Sequence, residues 1–310
     1  MITRVAVIAL NAYREAVRAR ILHGLFALAL ATAGYALIVG AYASRARMRV
    51  VSDLGSASIS LYAIAVAVVL GATSLYRELE LKTIFPILAR PIRRSEYLVG
   101  KLFGTVLTLA VFVAMNGGAL LLAIAVLSGG SFALVAGGVL AAAVVLGLLA
   151  WKQPRLRTYL PIITAVAVLV FGFVLSAGAP DDRRVVAGSA VLTLCEVLVV
   201  ASVATLFSSF SSPFLTAVFT ISVFVVGRSA DALAKLPVRL FGAAIHDTGA
   251  FVAKVVPNLM WYVPPRALLT GEAAGETLGT HVLLSAGYAA CWAVALLTVA
   301  AVVFKRRDFM

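Results

Sequence analysis

Acidic residues are scarce in this sequence: 13 Asp plus Glu in 310 residues, against 26 Lys plus Arg. Charged residues of both signs make up only 13% of the chain. A soluble domain carries about 25% charged residues, because its surface must be wetted. The shortage excludes an ordinary soluble enzyme. Cysteine is nearly absent. Cys195 and Cys291 stand in separate apolar runs without Cys-x-x-Cys spacing. That excludes a disulfide framework or zinc module and leaves two expected buried free thiols. His23, His246 and His281 are equally scattered, so no metal site is expected. No Gly-x-x-x-x-Gly-Lys-Ser/Thr phosphate loop occurs, and no Gly-x-Ser-x-Gly nucleophile elbow. No small-residue cleavage site follows the first apolar stretch, so no removable signal peptide is expected.

Apolar side chains are what the chain has instead, at 63%. Runs without charge cover 24–44, 54–76, 102–151, 158–180 and 277–304, and 185–227 holds the single charge of Glu196. A transmembrane helix needs about 20 mostly apolar residues. The 50-residue run at 102–151 therefore holds two spans, broken at Ser128-Gly129-Gly130-Ser131. The run after Arg184 breaks at Ser208–Pro213. The expected fold is an all-α integral membrane protein with about eight spans: 23–43, 56–76, 103–127, 132–151, 159–178, 186–207, 213–228 and 281–304. It forms one domain over 1–310.

Charge sets the orientation. With both termini cytoplasmic, the inner pieces 1–22, 77–101, 152–157 and 305–310 hold 16 of the 26 cations and 5 of the 13 acids. Lys and Arg collect on the cytoplasmic side of membrane proteins. The surplus of +13 thus reads as topology, and a nucleic-acid partner is not expected, because phosphate binding needs cations clustered on a wetted face. Within 1–22, Val5, Ile8, Ala9, Ala12 and Ala16 recur at helical spacing opposite Asn11, Arg14, Glu15 and Arg18. The pattern predicts an amphipathic helix lying in the cytoplasmic interface. The long outer segment 229–280, with four prolines and scattered charges, predicts short helices on or dipping into the outer leaflet.

The inner connector 77–101 carries the most information. Thr83 can cap a short helix whose first turn holds Pro86. Pro91 disfavours helical geometry at Arg90 and ends it, and Ser95 can cap the following span. Read in full, the connector supplies Glu78, Glu80, Thr83, Leu88, Pro91, Ile92, Arg94, Tyr97, Gly100 and Lys101 at the spacing Glu-x-Glu-x-x-Thr, then Leu-x-x-Pro-Ile-x-Arg-x-x-Tyr-x-x-Gly-Lys. It resembles the cytoplasmic loop of ABC transporter permeases of the type-2 exporter family. The branch it most resembles is the one associated with multi-copper enzyme maturation. The Asn11–Glu15 stretch, the span running into Ser208–Pro213 and the basic tail Lys305–Asp308 look like that family too.

The resemblance implies a six-helix core with both ends inside, to which 132–178 adds a hairpin. It implies a permease subunit of an ATP-driven exporter in a bacterial or archaeal cytoplasmic (inner) membrane. The partners it implies are a separate cytoplasmic ABC ATPase and a second permease, as a homodimer or heterodimer, within membrane lipid. ATP would be held by the ATPase, and this chain would carry no cofactor and no catalysis. The implied coupling residues are Glu78, Glu80, Lys82, Thr83, Pro86, Arg90, Pro91, Arg93, Arg94 and Tyr97.

Glu196 is the one acid inside an apolar span. A carboxylate near the midplane is costly and faces a partner or a wet cavity. It reads either as a lining residue or protonatable switch of a transport path, or as a hydrogen-bonded carboxyl that holds helices together. An ion-coupled transporter or channel built on Glu196 is the alternative function. Asp181-Asp182 reads as a solvated turn. The Pro257–Tyr262 stretch reads as an interfacial aromatic anchor or as a lid over an exit. Gly100, Gly104, Gly117 and Gly118 read as helix-packing positions.

Overall fold

A computed structural model of the chain describes residues 2–18, 20–43, 46–80, 94–153, 158–273, 275 and 277–306. Among them every regular element is helical. Three long helices form the centre: Arg47–Glu80 (α3), Arg94–Leu127 (α4) and Pro180–Ser208 (α7). None contains proline beyond its first residue, so nothing interrupts the backbone ladder that a lipid setting demands. Their hydroxyls close on their own turns. Thr108 donates to the Gly104 carbonyl at 2.9 Å and Ser202 to the Leu198 carbonyl at 2.7 Å. The three helices bury Ala67, Leu109, Leu120, Leu121, Leu192, Val197 and Ala201 against one another. Small residues set how close they come: a Cβ built on Gly71 would stand 2.3 Å from the Ala204 Cβ.

Arg20–Tyr42 (α2) leans on α3, where the Thr32 and Tyr62 hydroxyls meet at 2.9 Å. Leu278–Arg306 (α13) packs along α7. The expected hairpin is present as Phe132–Lys152 (α5) and Leu160–Leu175 (α6). The Ser131 hydroxyl caps α5 by accepting from the Leu134 N–H. α6 belongs to the body of the protein: Gly118 of α4 and Gly172 of α6 let the two backbones touch, since a Cβ on Gly172 would lie 2.6 Å from the Gly118 carbonyl oxygen. α5 is peripheral and leaves Phe132, Leu140 and Trp151 exposed.

Among the described residues seven helices, α2 to α7 and α13, are long and apolar enough to cross a membrane, and the chain is a multi-pass membrane protein. The eighth expected span is present as a shorter apolar helix. Pro213–Arg228 (α8) has only 16 residues. It stops where Arg228 meets Glu196. At 1.5 Å per residue Arg228 stands about 22 Å from the start of α8, and Glu196 about 18 Å from the adjoining end of α7. The two charged groups therefore meet at one depth inside the bundle.

The N-terminal helix Ile2–Val17 (α1) is separate from α2, as its amphipathic pattern predicts. It is docked on the protein as well as amphipathic. Tyr13, Ala12 and Ala16 are buried, and α1 lies against Gly100 and Gly104 of α4. A Cβ on Gly104 would come within 2.4 Å of the Ala9 carbonyl oxygen. Beyond α8 the chain forms Ala230–Ala234 (α9), Val238–Phe241 (α10), Ala243–Val255 (α11), a 3-10 turn at Leu259–Tyr262 and Arg266–Thr270 (α12). The turn and α12 fold back onto α7.

Candidate transport cavity

The fold-back encloses a cavity of about 620 Å³ between α3, α7, α8 and residues 262–269. Leu61, Ile64, Val185, Phe224, Val225 and Leu269 make most of its wall apolar. Two ionic clusters face each other across it.

The deeper cluster is Glu196, Arg228 and Ser60. Glu196 is 1% exposed. The Arg228 guanidinium grips it with two parallel bonds, Nε to Oε1 at 2.8 Å and Nη2 to Oε2 at 2.8 Å. Ser60 of α3 donates to the Glu196 Oε2 at 3.2 Å and accepts from the Arg228 Nη2 at 3.3 Å. The fork geometry matches a planar guanidinium to a planar carboxylate, which gives the pair direction as well as attraction. The C-terminal end of α8 also favours a cation. The Arg228 guanidinium lies 5.7 Å from the Phe224 ring centre, a further attraction for a cation. One ion triad thus joins α3, α7 and α8.

The second cluster lies where α3 and α7 begin. Arg266 of α12 donates through Nη2 to the Asp182 Oδ1 at 2.6 Å and through Nη1 to the Ser52 hydroxyl at 3.1 Å. Its Nη1 also reaches Asp53. Ser52 donates to the Asp182 Oδ1 at 2.7 Å, and Arg49 lies 3.7 Å from Asp53. Burial alone pulls the Arg266 guanidinium down, and the Asp182 and Asp53 carboxylates outweigh it, so Arg266 is held above its ordinary value. Beside it Arg184 donates to the Thr270 carbonyl at 3.1 Å and closes α12 onto α7.

Tyr262 forms part of the wall at 3% exposure. Its backbone is held by an aromatic shelf on α13. The Asn258 N–H donates to the Tyr288 hydroxyl at 2.9 Å, and His281 Nε2 donates to the Trp261 carbonyl at 3.1 Å. Trp261 stacks on His281 and Tyr288 with ring centres 6.0 Å apart. The Tyr262 hydroxyl itself is buried and has no hydrogen-bond partner. Burial pushes it upward from its ordinary value, with Cys195, Tyr288 and Glu196 adding to the rise, so it stays protonated.

The residues singled out in the sequence fall into three groups. Glu196 is brought into the site, in its hydrogen-bonded form. Lys82, Thr83, Pro86, Arg90, Pro91 and Arg93 lie outside the described residues. Glu78 and Glu80 fall in the last turn of α3 and Arg94 opens α4. Tyr97 is 1% exposed and packs with Leu98, Ala300 and Phe304. That packing seats the start of α4 on α13.

Other expectations change too. Asp181 and Asp182 are in the first turn of α7 rather than in a loop, where acids suit the helix N-terminus. Asp182 bridges two elements through Ser52 and Arg266. Cys195 is half-buried, whereas Cys291 is exposed on α13, against the expectation of two buried thiols. His246 accepts a structural role, with Nδ1 2.7 Å from the Leu236 carbonyl. Among the described residues no three His, Cys, Asp or Glu side chains gather to hold a metal. Sequence reasoning missed Arg228, Ser60 and the Arg266 cluster. Arg228 had a signal, a lone cation ending a short apolar run. Ser60 and Ser52 had none, being ordinary hydroxyls in an apolar helix. Compared with known proteins, the chain matches no family model and no curated protein.

Proposed function

We propose that this protein is the membrane-spanning permease subunit of an ATP-driven ABC exporter, without an ATPase site of its own. The observation that carries the reading is the connector pattern from Glu78 to Lys101, ten positions at fixed spacing. It runs from the last turn of α3 into the first turns of α4, two helices of 34 residues each. The N-terminus and the connector face the cytoplasm, in line with the cation surplus there. The cavity then lies toward the far side of a bacterial or archaeal cytoplasmic membrane. Two permeases and two ATPases form the working unit, and ATP stays on the ATPases.

The packing supports a route for coupling. Ser60 lies 20 residues before Glu80 on the unbroken α3, about 30 Å along the helix. A push at the connector end of α3 therefore arrives at Ser60, Glu196 and Arg228 without an intervening joint. The start of α4 is braced by α1 at Gly100 and Gly104 and by Phe304 at Tyr97. That bracing turns a local docking force into motion of α1, α4 and α13 together. The ion-coupled alternative has weaker support. Both Glu196 oxygens already accept from Arg228, so the carboxylate is engaged as a latch.

The test is co-purification. A tagged chain taken from its native membrane should carry a phosphate-loop ATPase in equal amount. Arg93→Glu with Arg94→Glu should strip that ATPase away. A chain that purifies without any ATPase, or a double reversal that retains it fully, refutes the reading.

A further inference from the structure

We propose that the cavity between α3, α7, α8 and α12 is a binding site for an uncharged amphiphile that enters sideways from the bilayer. Its size of about 620 Å³ lies within the range of about 300–1,000 Å³ that encloses one small organic molecule. The wall is apolar on most sides, and its charges are already spent on each other. Arg228 is held by Glu196, and Arg266 by Asp182 and Asp53. Asp53 also has Arg49 beside it. The charged groups of the wall, Asp53, Arg228 and Arg266, thus meet a ligand already paired. An anionic headgroup would have to displace a carboxylate from one of two guanidiniums. A cation would face those guanidiniums directly.

What the cavity offers instead is hydroxyl. The Tyr262 hydroxyl is buried in a side chain 3% exposed and has no partner, and Ser56 of α3 carries a second buried hydroxyl without one. Both residues line the cavity. Unpaired buried hydroxyls are rare because each forfeits a hydrogen bond. A ligand with ester, hydroxyl or amide groups would satisfy both and lay its apolar body on Leu61, Ile64, Phe224 and Leu269. Asp53 and Val263 open the cavity at the end near Arg266, and a second opening lies on the flanks of two helices. Leu61 is 59% exposed and Val225 53% exposed, one on α3 and one on α8. These are apolar surfaces of helices in the bilayer, so this second opening is lipid-facing. That such a ligand is cargo rests on the exporter reading; that it binds does not.

The test uses the full chain in phosphatidylcholine nanodiscs, without ATP or ATPase, and a diazirine-bearing long-chain monoacylglycerol built into the disc. Irradiation should label peptides holding residues 53–64, 185–193, 224–229 or 262–269. Monoolein should compete, while oleate and dodecyltrimethylammonium should not. Tyr262→Phe and Ser56→Ala should each weaken competition by about two- to tenfold, the value of one hydrogen bond. Leu61→Trp, at an exposed rim position that folding tolerates, should abolish labelling. Equal competition by oleate, unchanged labelling of Tyr262→Phe and Leu61→Trp, or labels spread over other peptides would overturn the site. Labelling only by a water-soluble short-chain monoacylglycerol would overturn the lateral entrance. Failure to recover an ATPase would sink the exporter reading and leave these results standing.

Discussion

Replacing Arg228 by Met removes one half of the deepest ion pair and keeps most of its apolar stem. Glu196 would then lie 1% exposed with only the Ser60 hydroxyl at 3.2 Å. Breaking a buried pair in this way costs about 3–5 kcal/mol, because one charge is left uncompensated. The Arg228 side chain is 24% exposed, so the pair is not wholly dry and the lower end, about 3 kcal/mol, applies. That is more than a hundredfold in the folding equilibrium. Removing both charges, as Glu196→Leu with Arg228→Met, should be close to neutral, since a well-packed apolar pair replaces a buried ion pair at little cost. The assay is a double-mutant cycle on reversible unfolding in mixed micelles, with Glu196→Leu as the fourth corner. With a neutral double variant the coupling equals the sum of the two single losses, so at least about 3 kcal/mol is expected. Additive single and double changes, or an Arg228→Met loss below about 1 kcal/mol, would refute the claim that the triad joins α3, α7 and α8.

Arg266→Ala removes the donor shared by Asp182, Asp53 and Ser52 and should cost about 2 kcal/mol, read locally as faster hydrogen exchange over 259–270; Arg266→Lys should not restore protection, because an ammonium cannot span both carboxylates. Gly104→Val places a Cβ 2.4 Å from the Ala9 carbonyl oxygen, so it should lift α1 and raise proteolysis between α1 and α2, whereas Gly24→Ala, at a position with no neighbour within 4 Å, should leave it unchanged. Gly172→Leu should separate α6 from α4 and lower thermal stability, and an unaltered melting temperature would show that the hairpin is not part of the core. A cysteine in place of Pro154, at the hairpin tip, should react with impermeant thiol reagents from the cytoplasmic side alone; labelling only from outside would invert the proposed orientation.

The helices were legible because charge is excluded from lipid, and gaps between charges therefore mark buried lengths. The breaks at Ser128–Ser131 and Ser208–Pro213 were legible through their turn residues, and α4 ends and α8 begins within a residue of them. Gly100, Gly104 and Gly118 were legible as packing positions, although Gly117, singled out with them, has only Ala190 at 3.8 Å. At 213–228 hydropathy records where the apolar residues stop and not what stops them. There it is Arg228, held within the bundle by Glu196. The Arg266 cluster was illegible for another reason. Its partners Ser52, Asp53 and Asp182 are separated from Arg266 by 84 to 214 positions. No periodicity within one helix predicts which cation will reach across.

The two ionic clusters divide the labour of holding the cavity. Arg228 and Glu196 tie the inner end, and Ser60 carries that tie onto α3. Arg266 ties the outer end, and Ser52 and Asp53 carry that tie onto the same helix eight and seven residues earlier. Both knots therefore hang on one rigid rod whose far end meets the connector. A rotation of α3 of about 100°, one residue of register, would pull Ser60 from Glu196 and Asp53 from Arg266 together. A translation along its axis would strain both in the same direction. Either motion loosens or tightens both ends of the cavity at once. The glycines on α3 bear on the same point. Gly71 against Ala204 and Gly55 against Leu120 let α3 lie close against α7 and α4. Bulkier residues there would push α3 away from α7 and α4 and strain both ion clusters.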